Sequence, residues 1–125
     1  MKNIKELEKI AKNIRIGIIE AVYEGKSGHP GGSLSIADIL TVLYFNEMNI
    51  NPTQPNSNAR DRLILSKGHS APAIYSTLAE RGYFKKDNLK TFRDIDSNMQ
   101  GHPDMNKVPG IDMTTGSLRT RLIMC

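Results

Sequence analysis

The residues best suited to chemistry are three histidines, and each follows a glycine: Gly28-His29, Gly68-His69 and Gly101-His102. Imidazole exchanges a proton near neutral pH, so it can act as general acid, general base or donor to an anionic oxygen. A glycine beside it lets the backbone turn tightly and approach a ligand. With 10 glycines in 125 residues, three such placements by chance have odds of about one in two thousand, so a shared backbone requirement explains them better. Two of the histidines also precede proline, and the run Ser27-Gly28-His29-Pro30-Gly31-Gly32-Ser33 has the composition of a loop that holds something. The pattern points to three loops converging on one polar ligand.

A single loop histidine is more often a surface or capping residue, so the set has to be weighed together. A three-histidine metal site does not match the separations of 40 and 33 residues, because metal ligands usually arrive at close spacing on one element. A nucleophilic triad needs an activated serine or cysteine on a recognisable turn, and none is marked. A phosphate or sugar site fits the residue types, with imidazoles donating to oxygens and moving protons while glycine amides hold the anion.

The elements that must position these loops are mostly helical. Over 3–24, Ile4, Leu7, Ala11, Ile14, Ile18 and Ala21 recur at steps of three and four, which predicts an amphipathic helix. Asn3 and Glu6 have capping-box spacing, and Gly25 offers a left-handed stop. A second helix is expected over 35–46, with Ser35 and Asp38 at capping-box spacing and apolar residues on nearly every side, so it should be buried all round. Residues 46–58 turn to asparagine, proline and threonine, a loop. Leu63, Ile64 and Leu65 within 61–66 form a short apolar run that predicts a buried parallel strand. A turn at Lys67-Gly68-His69-Ser70 and a helix from Ala71-Pro72 to just before Gly82 follow, which would place His69 past the carboxyl end of that strand. A short helix over 87–93 buries Leu89 and Phe92, and 98–110 is loop.

Composition narrows the function classes. The chain has room for one small domain, with 38% hydrophobic and 24% charged residues. Tryptophan is absent and aromatics are sparse, which argues against a surface of stacked bases and hence against nucleic acid. The net charge of +4 includes Arg119 and Arg121 near the end, and without these two it falls to +2, too little to name a partner. Cys125 is the only cysteine, so there is no disulfide framework and no thiolate metal site, and a reducing, cytoplasmic setting is expected. No apolar run has transmembrane length and no signal peptide is visible, so no membrane partner is expected.

Four motifs in order now carry a resemblance. Ser27-Gly28-His29-Pro30-Gly31, Asp61-Arg62-Leu63-Ile64-Leu65-Ser66-Lys67-Gly68-His69, Gly101-His102-Pro103 and Thr114-Thr115-Gly116-Ser117-Leu118 together resemble the amino-terminal, diphosphate-binding domain of transketolase. The likeness covers roughly residues 4–118; the related deoxyxylulose-phosphate synthases match less well around His69 and at Gly101-His102-Pro103. The resemblance implies an α/β class, an incomplete thiamine diphosphate-binding fold with a parallel sheet and flanking helices, of which this chain holds a mostly helical part. It implies thiamine diphosphate and Mg2+, transfer of a two-carbon ketol unit between sugar phosphates, and a place in the pentose phosphate pathway. It also implies dimerisation and a separate carboxyl-terminal subunit in the intact enzyme. Residue by residue, His29 corresponds to a substrate-contacting catalytic histidine that assists proton transfer, and His69 to a catalytic histidine beside the cofactor's diphosphate. His102 corresponds to a catalytic histidine contacting substrate hydroxyls, and Gly116, Ser117 and Leu118 correspond to the segment bounding the cofactor. No metal ligand is expected in this chain.

The resemblance stops at residue 118. The family continues with Gly-Gln-Gly-Leu-Ser, whereas this chain reads Arg119-Thr120-Arg121-Leu122-Ile123-Met124-Cys125. Codons GGA CAA GGC TTA TCA encode the family's pentapeptide, and one inserted base ahead of them yields AGG ACA AGG CTT ATC, which is Arg-Thr-Arg-Leu-Ile. The expectation is a domain over 1–118 followed by a frameshifted tail over 119–125, giving a truncated, aggregation-prone chain that is inactive alone. The competing expectation is a non-catalytic phosphate-binding or protein-interaction module.

Overall fold

The computed structural model describes residues 2–26, 28 and 30–115. Three α-helices form its body: α1 (Ile4–Gly25), α2 (Pro30–Val42) and α3 (Ala71–Arg81). α2 runs on into one wider turn of π-helix at Leu43–Glu47; a 3₁₀ turn at Gly68–Ser70 opens α3, and another at Lys86–Thr91 follows it.

α1 begins as its sequence predicts. The Asn3 side chain accepts from the Glu6 amide at 2.9 Å, and the Glu6 carboxylate accepts from the Asn3 amide at 3.1 Å, a reciprocal capping box. Ala11, Ile14, Gly17, Ile18 and Ala21 make the buried stripe. The stop is shifted: Lys26, not Gly25, takes the left-handed conformation at φ 53°. Gly25 is the last helical residue, and a Cβ there would lie 2.8 Å from the Phe92 carbonyl oxygen and 2.9 Å from its ring. Close approach, rather than backbone handedness, requires this glycine.

α2 also differs from expectation, starting at Pro30 five residues before the predicted cap. Proline suits the first helical position, so the glycine run becomes the first turn of the helix. Ser35 is therefore interior, and its hydroxyl donates back to the Gly32 carbonyl at 2.9 Å. Asp38 pairs with Arg15 of α1 at 2.9 Å, and this pair holds the Arg15 pKa up and the Asp38 pKa down from their usual values. Ala37, Leu40 and Thr41 are buried, but Ile39 and Val42 are exposed, so burial is one-sided rather than all round.

α3 is the central element, buried at every position from Ala71 to Ala79. Ile14 and Ile18 of α1, Leu40 of α2, Ile74, Tyr75 and Leu78 of α3, and Leu89 and Phe92 beyond it form one core. Small residues let α1 and α3 close together, and the Ser76 hydroxyl donates to the Ile14 carbonyl across that seam at 2.8 Å.

The predicted strand over 63–65 is not present, and there is no strand among the described residues. Leu65 is buried while Ile64 is 61% exposed. A strand needs a paired backbone, and here the Leu63 amide donates to the Asp112 side chain instead, at 2.6 Å. The parallel sheet expected of the α/β class is thus not seen; the described part is helical.

Candidate functional site

Two of the three histidines meet. His69 lies in the 3₁₀ turn Gly68–Ser70 that opens α3, not at the end of a strand as predicted, and His102 lies in the loop after residue 98. Their ring centroids are 4.8 Å apart with the planes at 69°, an edge-to-face arrangement. His69 is exposed and His102 half-buried, so the pair sits at a surface where one ring backs the other. His29 and the cofactor-segment residues Gly116, Ser117 and Leu118 fall outside the described residues. Of the glycines preceding the histidines, Gly28 has φ 141°, a conformation side chains rarely adopt. Gly68 and Gly101 are not among the positive-φ residues, so the shared backbone requirement inferred from the Gly-His repeat holds in that form for Gly28 only.

The surroundings favour an anion. The first turn of α2 lies against the His69 turn: a Cβ on Gly32 would be 3.3 Å from the Ser70 hydroxyl and 3.4 Å from the Lys67 side chain. Lys67 donates its Nζ to the Ser35 hydroxyl at 2.9 Å. A lysine beside the amino-terminal end of a helix adds its charge to that end's partial positive charge, which favours negative oxygens nearby. Exposed imidazole and ammonium donors on such an edge can meet phosphate oxygens, as the diphosphate implied by the transketolase resemblance would require.

The arms carrying the two histidines are tied down. Tyr75 of α3 donates its hydroxyl to the Gln100 carbonyl at 2.6 Å, two residues before His102. Burial, and secondarily the Asp104 charge, push the Tyr75 phenol pKa well above its usual value, so it remains a donor. The beginning of the Thr114-Thr115 motif runs along the same loop: the Thr115 amide donates to the Pro103 carbonyl at 3.0 Å, and the Met105 amide donates to the Thr114 hydroxyl at 3.0 Å. Two residues earlier, Asp112 pairs with Arg60 and accepts from the Leu63 amide. Sequence reasoning missed Lys67, Tyr75, Arg60 and Asp112. The partners of the last three lie 25 to 52 residues away, and no local pattern encodes such pairs.

Among the described residues, no group of three or more His, Cys, Asp or Glu side chains is arranged to hold a metal ion. No helix among them is long and apolar enough to cross a membrane.

Comparison with known proteins gives the family of the chain. The family profile described as transketolase, thiamine diphosphate binding domain, matches residues 6–123. The 6-deoxy-6-sulfo-D-fructose transketolase subunit of Clostridium sp. strain MSTE9 is 46% identical over 113 residues, which is 90% of this chain and 41% of that one. The transketolase of Buchnera aphidicola subsp. Baizongia pistaciae is 47% identical over 111 residues, 88% of this chain and 17% of that one. Among solved structures, transketolase from Leishmania mexicana superposes with a TM-score of 0.85 at 38% identity, covering 89% of this chain and 17% of that one. The Pichia stipitis transketolase complex with sedoheptulose 7-phosphate gives the same score and identity, covering 90% and 17%. The chain thus spans 41% of a subunit-type relative and 17% of the longer ones. With the profile matched along most of its length, the chain belongs to the transketolase family, as part of the thiamine diphosphate binding domain.

Proposed function

We propose that this chain is the cofactor-holding component of a thiamine diphosphate-dependent transketolase that moves a two-carbon ketol unit between sugar phosphates. The observation that carries the reading is the meeting of His69 and His102 at 4.8 Å, 33 residues apart in sequence, beside Lys67 and the first turn of α2. When bound, thiamine diphosphate supplies the carbon–carbon bond chemistry. His69 donates to the cofactor's diphosphate oxygens, and Lys67 adds positive charge on the same side. His102 donates to substrate hydroxyls, and His29 contacts the substrate and assists proton transfer. Gly116, Ser117 and Leu118 bound the cofactor. Imidazole suits this work because its two ring nitrogens can donate to an oxygen or exchange a proton.

The remaining parts are assigned to the assembly. Ligands for Mg2+ come from beyond this chain, as does a separate carboxyl-terminal subunit, and the intact enzyme dimerises in a cytoplasmic, pentose-phosphate setting. Residues 1–118 supply the domain's amino-terminal part, and 119–125 are read as a one-base frameshift, although the family match runs to residue 123. Sequencing the gene from the codon for Thr114 onward tests that reading; one unshifted frame through the tail would overturn it.

The function is tested by calorimetric titration of thiamine diphosphate into the chain, with and without Mg2+, beside a ketol-transfer assay. Saturable cofactor binding without turnover by the chain alone is the expected result. Equal affinity for inorganic phosphate would favour a non-catalytic phosphate-binding module, and turnover by the chain alone would refute its dependence on partners.

A further inference from the structure

The residues 112–115 form a short strap that grips both histidine arms. At one end, the Asp112 carboxylate accepts from the Arg60 guanidinium and from the Leu63 amide at 2.6 Å, on the run that leads to His69. At the other, Thr114 and Thr115 bond to Met105 and Pro103, immediately after His102. Three residues of chain span at most about 10 Å even when fully extended, so the strap couples the two arms at short range.

The grip is buried. The Asp112 and Arg60 side chains are only 4% and 14% exposed. Beneath the strap, the gap bordered by Tyr44, Leu65, Ile74, Pro103 and Ile111 has a volume of about 10 Å³, close to the lower limit for one water molecule. A buried ion pair is a costly way to gain stability alone, because both ions must leave water. It does fix geometry: the carboxylate has two donors from one segment in fixed directions, and neither can be replaced by solvent without opening the packing.

We propose that Asp112 is a positioning residue that, through Arg60 and the Leu63 amide, sets the approach of His69 to His102. The proposal rests on the transketolase reading for its consequence in cofactor binding, but not for the geometry. His102 has a second tether through Tyr75 and Gln100, and His69 sits in the turn that opens α3, so altering Asp112 is expected to change the spacing of the two rings rather than unfold either arm.

The test compares Asp112→Asn, Asp112→Glu and Arg60→Gln in the full chain by three readouts: helix content from circular dichroism, the nuclear Overhauser contact between the His69 and His102 rings, and thiamine diphosphate affinity. Asp112→Asn is expected to keep its helix content, lose the ring-to-ring contact and bind thiamine diphosphate about tenfold more weakly. Asp112→Glu returns the charge and both acceptor oxygens but adds a methylene beside a gap of about 10 Å³, so it should recover the contact only in part. Should Asp112→Asn fail to fold, Arg60→Gln decides, because it leaves the Leu63 bond in place and is expected to weaken the ring contact. An intact ring contact in whichever of these two variants folds would overturn the proposal. If the wild-type chain binds no thiamine diphosphate yet the ring contact is lost on substitution, the positioning role stands and the transketolase reading fails. If wild type binds and the variants keep both contact and affinity, the reverse holds.

Discussion

At the scale of single residues, the site is two imidazoles of unequal exposure. His69 is exposed and His102 lies behind it, so they are not interchangeable. His69→Ala should weaken thiamine diphosphate binding by about tenfold, which corresponds to about 1.4 kcal/mol, while leaving the unfolding midpoint nearly unchanged because the ring is at the surface. His102→Ala should do the opposite in part, lowering stability measurably by opening a half-buried space. Titration calorimetry and thermal unfolding of both variants separate these outcomes. The recurrence of glycine before histidine was enough to group these residues. Their pairing at 4.8 Å was not legible, because it depends on Tyr75, Asp112 and Thr115 holding two arms whose bonds join positions 12 to 52 residues apart.

Individual elements show which signals were local. The capping box at Asn3 and Glu6 lies within one turn, and it formed as predicted. The left-handed stop fell one residue later than predicted, at Lys26, and Gly25 packs against Phe92, far along the chain. Gly25→Ala measures that contact. Alanine in place of glycine in a helix gains about 1 kcal/mol of propensity, but the new Cβ meets a backbone oxygen at 2.8 Å, and overpacking of this kind costs about 1 to 3 kcal/mol. A backbone atom in a packed turn yields little, so the net result expected in chemical denaturation is a loss of up to about 2 kcal/mol; a stabilised variant would show that the turn at Phe92 gives way. The strand over 63–65 failed for a similar reason: its apolar residues read as a buried strand, but no pairing strand is present among the described residues and Asp112 takes the Leu63 amide. The outer face of α1 carries Ile16, Ile19 and Tyr23, all exposed and spaced to share one side. Replacing Ile19 and Tyr23 by lysine should change stability by less than about 0.5 kcal/mol, as is usual for surface positions, and should lower light scattering from concentrated solutions. Unchanged scattering would place the cause of any aggregation elsewhere.

For the whole molecule, the helical core and the site share one central element. α3 buries Tyr75 in the core while its hydroxyl holds the His102 arm, so folding and site geometry are coupled. Burial raises the pKa of Tyr44, Tyr75 and Tyr83 above the usual tyrosine value. A raised folded-state pKa means the folded form holds its proton more tightly, so this stabilisation is complete below about pH 10, the usual tyrosine pKa, and is lost as pH climbs above it. The slope is about 1.4 kcal/mol per pH unit for each tyrosine that ionises only on unfolding. Denaturation midpoints measured between neutrality and strong alkali should therefore fall above pH 10, and Tyr75→Phe should reduce that fall. The family was legible from four motifs in order, whereas the sheet that accompanies them was expected but does not occur among the described residues.

The most direct test of the central claim is to follow the ring resonances of His69 and His102 by nuclear magnetic resonance while thiamine diphosphate and Mg2+ are added to the chain. The account predicts that both rings shift together and saturably, that inorganic phosphate at matched ionic strength does not reproduce the effect, and that His69→Ala moves the response at His102 to about tenfold higher cofactor concentration. Rings that stay unmoved at saturating cofactor, or that respond identically to phosphate, would contradict it.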